Sequence, residues 1–248
     1  MEGRHSDVLE LLPSELVPLW WYWERLARLP YLAREVDLDR AGPERDLAFG
    51  VSAGNAAMLA EFIMARPNLR SVGIDGVYVP QALLNALRNC EAIRKLDLAP
   101  IRSDLGFLSE LASLEVLRIE STSNDDFLRD LEALPRLRSL SIGLRSGSLS
   151  CLGVIQSGEL EVLVIEPAVK SKRLTISSLN EIEHHKKLSY LIILGAKLEE
   201  SAVESLLGMN LELLVVGSSA WIPANQARLL AASGVTVLDS QGQPVVRD

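Results

Sequence analysis

One pattern constrains this chain more than any other feature: aliphatic-x-x-aliphatic-x-aliphatic, repeated. It is read at Leu69-Val72-Ile74, Ile93-Leu96-Leu98, Leu114-Leu117-Ile119 and Leu137-Leu140-Ile142. It continues at Leu160-Leu163-Ile165, Leu188-Leu191-Ile193, Leu211-Leu214-Val216 and Val235-Leu238-Ser240. The steps between first residues are 24, 21, 23, 23, 28, 23 and 24, and Ser240 is the one slot of 24 that is not a large aliphatic. An unordered chain of this composition would fill about ten. Alternate side chains of a strand share a face, so the last two slots of each unit point into one core. No unit can cover that face alone, but stacked units share it.

Helix-period segments lie between the strands. Pro80 precedes Leu83, Leu84 and Leu87, and Asn124 or Asp125 precedes Phe127, Leu128, Leu131 and Leu134. Glu200 and Ser201 precede Val203, Leu206 and Leu207, and Pro223 precedes Ala227, Leu230 and Ala231. Proline in a first turn and a polar residue at a cap both start helices. Each unit therefore reads as strand, turn, helix and return.

This arrangement resembles the leucine-rich repeat family, whose units carry the core L-x-x-L-x-L. The resemblance covers residues 69–240 and implies an α/β, right-handed solenoid with a parallel concave sheet and helices on its convex side. It also implies protein ligands as the usual class. One departure stands out. The family places Asn or Cys three positions after the last core aliphatic, whereas Val77, Ile101, Thr122, Arg145, Ala168, Ala196, Ser219 and Gln243 stand there. The inter-repeat asparagine ladder is missing, which predicts irregular turns and a divergent member.

Two regions follow. Residues 1–33 carry Trp20, Trp21 and Trp23 and read as a helical N-terminal cap on the first repeat, or as a partner-binding helix. Residues 34–248 read as a solenoid of about eight repeats, with strands near 36, 72, 96, 117, 140, 163, 191, 214 and 238. The early unit rests on Val36 and Leu38.

Charge narrows the partners. With 25 Lys+Arg against 33 Asp+Glu among 248 residues, the net charge is −8, which argues against a nucleic-acid surface. The basic residues Lys170, Lys172, Arg173, His184, His185, Lys186 and Lys187 gather in the longest unit and read as a solvated loop and helix end. No metal site follows from the tandem histidines, which lack Cys or carboxylate ligands at metal spacing. Cys90 and Cys151 read as buried, reduced thiols of a cytoplasmic protein. No signal peptide and no membrane span is expected.

Gly50-Val51-Ser52-Ala53-Gly54 fits the G-x-S-x-G elbow of serine hydrolases, with apolar Leu47-Ala48-Phe49 before it. His184 and His185 are the only later histidines, and the stacking places them several strands away. A turn with Ser52 capping the following helix is the plainer reading. Leu12-Pro13-Ser14-Glu15-Leu16 resembles the opening of an F-box, which implies an adaptor; the Cys and Trp further along that family's pattern have no counterparts.

Strand alternation also names the outward side chains. Early units present Ser71, Gly73, Asp75, Lys95, Asp97, Arg118 and Glu120, and the middle presents Ser139, Ser141 and Gly143. Late units present Val162, Val164, Tyr190, Ile192, Leu194, Leu213, Val215 and Val237. Such an apolar patch exceeds what a soluble monomer normally exposes. A protein partner, a second copy of the chain (a homodimer) or the tail from Ser240 to Asp248 would cover it. The expectation is a non-enzymatic protein-interaction module, without cofactor, of which an inhibitor or immunity-type protein is one form. Partner contact falls on Val162, Val164, Tyr190, Ile192, Leu194, Leu213, Val215, Arg118 and Glu120. The alternatives are a serine hydrolase at Ser52 and an F-box-like adaptor.

Overall fold

The computed structural model describes residues 12–16, 46–51, 55–76, 79–101, 105–121, 131–132, 134–145, 149, 152–153, 155, 157–168, 174–217 and 222–246. Its strands are β1 (Asp46–Val51), β2 (Ser71–Gly76), β3 (Lys95–Ile101), β4 (Val116–Ser121), β5 (Ser139–Leu144) and β6 (Val162–Pro167). They continue as β7 (Leu174–Ile176), β8 (Tyr190–Ile193), β9 (Ala196–Leu198), β10 (Leu213–Val216) and β11 (Thr236–Asp239). Helices are α1 (Ala56–Met64), α2 (Gln81–Leu87), α3 (Glu200–Leu207) and α4 (Ala224–Ala232). Nine strands form one sheet in the order β1-β2-β3-β4-β5-β6-β8-β10-β11, and β7 pairs β9 in a small second sheet.

Every rung of the large sheet is parallel and nearly every step is in register. Val72 pairs Leu96, Leu96 pairs Leu117, Leu117 pairs Leu140, and Leu140 pairs Leu163. Leu163 then pairs Leu191, and Leu191 pairs Leu214. The second aliphatic of each unit therefore stacks on its predecessor, and these columns merge with Leu83, Leu84, Leu87, Val203, Leu206 and Leu230 of the helices in one continuous core. The chain is a leucine-rich-repeat solenoid of the α/β kind: one apolar sheet face shared by all units, helices on that side, and an opposite face left to other uses.

The carbonyls just before the strands lock the units together. Arg94 O accepts from both Glu115 N and Val116 N, and Glu115 O, Arg138 O, Glu161 O and Ser189 O repeat that double acceptance toward the next unit. Each carbonyl thus uses both lone pairs.

Three differences from the sequence reading have physical causes. The first described strand, β1, pairs Leu47 with Val72 and Phe49 with Ile74, so the segment before the G-x-S-x-G run is a rung of the ladder. Val36 and Leu38 lie outside the described residues. The last strand is shifted by one residue: Val237 pairs Leu214 and joins the main core, while Leu238 pairs Val215 on the opposite face. Side chains alternate with period two, so a one-residue slip exchanges the faces and explains why Ser240 failed the pattern. Finally, Gly106–Glu110 and Asn180–Ile182 are 3-10 turns where helices were expected. At Gly106–Glu110 the step of 21 residues leading into β4 leaves little chain for a return, and a 3-10 turn spans more length per residue than an α-helix; Asn180–Ile182 lies in the longest step, of 28, which chain length does not explain.

The tail closes the last edge. Val245 N donates to Val237 O, Asp239 N to Gln243 O, and Val245 and Val246 pack on the core. Residues 240–246 therefore satisfy the open edge of β11, which an uncovered sheet would present to other chains.

Candidate functional site

The face opposite the helices, the concave face of such a solenoid, carries three rows of side chains. The central row runs Gly73, Asp97, Arg118, Ser141, Val164, Ile192, Val215 and Leu238 along eight paired strands. A second runs Ser71, Lys95, Val116, Ser139, Val162, Tyr190, Leu213 and Thr236. On the third, Glu120 of β4 pairs Gly143, which pairs Glu166. The surface passes from charged through small to aliphatic, with Leu238 taking the place expected for Val237.

The charged end is an ion-pair network. Arg118 Nη1 donates to Asp97 Oδ1 at 3.1 Å, and Nη2 lies 3.6 Å from Glu166 Oε1. Asp97 is buried, and this guanidinium offsets part of the cost of burying its charge. At the strand entrances Arg138 grips both carboxylate oxygens of Glu161, at 2.7 and 3.1 Å. That hydrogen bond, opposed by burial and aided by Glu161, Glu115 and Glu15, raises the Arg138 pKa. Tyr190 donates its hydroxyl to Glu212 at 3.1 Å. Burial and then this bond push its phenol up.

The apolar end is not open. Val162, Val164, Ile192, Leu213, Val215 and Leu238 are each at most 9% exposed and form a cluster with Leu12 and Leu16. Tyr190 and Leu194 flank it, half-buried. The patch is covered, as expected, but Leu12 and Leu16 of the chain's own N-terminal segment, which was not among the covers named, pack on it. Leu12–Leu16 lies on the rungs β6, β8, β10 and β11, and the rest of residues 1–33, with the tryptophans, lies outside the described residues.

Local geometry explains how five residues do this. Pro13 fixes its own φ, and Leu16 N donates to Pro13 O at 2.9 Å, closing the 3-10 turn Ser14–Leu16. The turn places Leu12 and Leu16 into the cluster and leaves Glu15 exposed. Glu15 adds its negative charge to the field at Arg138. Burying two leucines stabilises by about 4–5 kcal/mol, and fixing five backbone units costs about as much.

Beneath the junction of the charged and apolar ends, β5 offers only Ser139, Ser141 and Gly143, all buried. Both hydroxyls lack a hydrogen-bond partner among the described residues. Burying a hydroxyl without a partner costs free energy.

Other sequence candidates fall elsewhere. Ser52 and Gly54 lie outside the described residues, while Gly50 and Val51 pair Asp75 and Gly76 in β1 and β2. His184 and His185 stand in the turn before β8, six rungs away, roughly 29 Å at strand spacing. His184 Nε2 lies 3.2 Å from Ile155 O and His185 Nδ1 3.2 Å from Ser157 O. His185 is buried at 3% exposure, which corrects its reading as part of a solvated basic patch. Lys170, Lys172, Arg173 and Cys151 lie outside the described residues. Among those described, no three His, Cys, Asp or Glu side chains gather as a metal site, and no helix is long and apolar enough to cross a membrane.

No family model and no curated protein matches the chain. Solved structures do. An internalin C2 of Listeria monocytogenes is 20% identical over 63% of this chain and 74% of its own, with a TM-score of 0.45. A leucine-rich-repeat protein of Leptospira interrogans is 14% identical over 71% of this chain and 56% of its own, at 0.37. The leucine-rich-repeat ectodomain of a plant membrane receptor kinase from Arabidopsis thaliana is 13% identical over 78% of this chain and 25% of its own, at 0.43.

Proposed function

We propose that this protein is a non-enzymatic interaction module that binds another protein across its concave face. The observation that carries the reading is that this face already holds a polypeptide: Leu12 and Leu16 pack on Val162, Val164, Ile192, Leu213 and Val215. A surface that accepts one leucine-bearing segment has the apolar anchors with a polar surround of a protein interface. Lys95, Asp97, Arg118 and Glu166 form the adjoining charged end, with Glu120 on the same strand as Arg118, and this end sets orientation and discriminates partners. A net charge of −8 suits a basic target, and occluding such a target, as an inhibitor or immunity-type protein does, is the form of binding this favours. Tyr190 and Leu194 are partly buried against the aliphatic half. The covered patch requires no second copy of the chain. An F-box-like role is less well supported, since Leu12 and Leu16 are both engaged within the molecule.

The test compares baits in extracts of the native host. Wild type, the pair Lys95→Glu with Glu120→Lys, and Lys197→Glu on the outer strand β9 are checked for equal melting and then used for capture. Loss of one protein by the first variant and its retention by the second supports the concave face. Equal capture by all three rejects it.

A further inference from the structure

We infer that the Leu12–Leu16 turn is a resident stand-in for a partner segment of the same chemistry: two leucines four residues apart on one short turn, with a carboxylate between them. The inference rests on the proposed binding across this face and specifies what its apolar half recognises.

Three features of the contact point this way. First, the cluster that takes Leu12 and Leu16 shares no residue with the main core, so the solenoid's own apolar columns stay covered without the turn. Second, the one described backbone hydrogen bond of the turn is internal, from Leu16 N to Pro13 O, and adds no strand or ladder to the sheet. Among the described residues its packing on the sheet is through side chains, and a segment held that way exchanges with another of like side chains. Third, the buried hydroxyls of Ser139 and Ser141 beside the cluster have no partner among the described residues. The turn packs on the aliphatic rows, and the adjoining serines of β5 are buried without a hydrogen bond among the described residues. A longer partner segment with carbonyl or carboxylate groups over β5 would pair both hydroxyls and so outcompete the resident.

The acidic residue has its counterpart as well. Glu15 contributes to the field at Arg138, whose guanidinium grips Glu161 at the entrance of the same strands. A carboxylate at that place in the partner meets the same cation. In the partner's absence the resident turn keeps the aliphatic rows out of water, which suppresses association of exposed patches.

The experiment uses the full chain and a fluorescein-labelled peptide of residues 9–17. Leu12→Asp with Leu16→Asp in the full chain evicts the resident turn. The peptide is expected to bind this variant saturably and to bind wild type at least tenfold more weakly. Adding Ile192→Asp to the evicted variant is expected to abolish binding. A peptide carrying Glu15→Gln should bind the evicted variant more weakly and with less dependence on salt. Equal affinity for wild type and variant overturns the inference, as does no binding to a variant that still melts cooperatively. Loss of the cooperative melt on eviction also overturns it, because the turn would then be part of the fold. If the peptide fails while capture still depends on Lys95 and Glu120, this inference alone falls; if that capture fails too, the reading beneath it falls with it.

Discussion

His185 stands in its repeat where Ser157 stands in the one before, three residues ahead of the first core aliphatic, and its Nδ1 lies 3.2 Å from the Ser157 carbonyl oxygen. A carbonyl oxygen only accepts, so Nδ1 carries the proton. Ser157 reaches back in turn, donating its hydroxyl to Leu137 O at 2.7 Å. Cys90, at the same place in an earlier unit, lies 3.9 Å from Ile63 O and Arg66 O, and burial keeps it a thiol able to donate. These residues do the work of the missing asparagine ladder from the other end of the strand. At these three turns a polar side chain joins the unit to the preceding one from before the strand, while Leu111 and Leu134 hold the same place in two other units.

The His185 contact makes stability depend on acid. With Nδ1–H donated, Nε2 of His185 is bare, buried and without a hydrogen-bond partner among the described residues. Protonating it would bury a charge. Desolvation, then the neighbouring His184, lowers the pKa to about 4, and the bond to Ser157 opposes that only in part. The unfolded chain therefore binds the proton first. Stability is full above the unfolded value of about 6.5 and falls as pH drops toward 4, by about 2–3 kcal/mol at pH 4.5. Urea melts at pH 7.5, 5.5 and 4.5 check this. His185→Gln should be less stable at neutral pH and lose most of the slope between the first two. An unchanged slope in the variant would reject His185 as its source.

Which features were legible in the sequence follows from the range over which each interaction acts. The ladder Leu117, Leu140 and Leu163 was readable because one slot recurs wherever one strand stacks on the next. The inner face of β8 and β10 followed from alternation, although Ile192-Ile193 and Val215-Val216 give no local contrast. Leu238 was misplaced because β11 slips by one residue after Gly234, whose φ of +97° ends the turn from α4. The occupant of the concave face was not legible at all. Nothing in Leu12-Pro13-Ser14-Glu15-Leu16 marks strands about 150 residues later as its seat, since a side-chain contact between distant segments leaves no period. His185 was misread for a related reason: its neighbours Lys186 and Lys187 are exposed, and charge in a run does not tell which member faces inward.

Gly195 is fixed by its neighbour as much as by its backbone. It sits between β8 and β9 at φ +64°, and a Cβ there would lie 2.6 Å from Cδ and Cγ of Pro167 on β6. Gly195→Ala is expected to cost about 2–4 kcal/mol, part conformational and part steric. Pro167→Ala in the same chain should recover the steric part and leave about 1–2 kcal/mol. A double-mutant cycle from denaturant melts measures this, and strict additivity would show that the ring plays no part.

Arg118 is expected to matter through what it leaves behind. Arg118→Ala removes the cation from Asp97, whose side chain is only 9% exposed, and so strands a buried carboxylate at a cost of about 2–4 kcal/mol. Asp97→Asn added to that variant should recover stability, since an amide needs no counter-charge. If the second substitution makes matters worse, the pair is not coupled through charge and the hydrogen bonds of Asp97 to its surroundings dominate.

Neighbouring residues of β8 separate the two faces most directly. Leu191 stacks between Leu163 and Leu214 in the main core, while Ile192 lies on the opposite side with Leu12 and Leu16. Leu191→Asp places a carboxylate among aliphatic side chains, with no cation in that cluster to pair it, and should abolish the cooperative melt. Ile192→Asp places the same charge under the Leu12–Leu16 turn, outside the main core. The expected result is a folded solenoid with a modestly lower melting temperature and faster hydrogen exchange at the Leu16 amide, whose acceptor is Pro13 O within that turn. The amides of Leu140 and Leu163, bonded within the sheet, should keep their protection. If Ile192→Asp also abolishes the melt, the concave cluster is as much a part of the fold as the core behind it. If it leaves Leu16 exchange unchanged, the turn is held by something other than the aliphatic rows. Either outcome removes the basis for treating Leu12 and Leu16 as exchangeable.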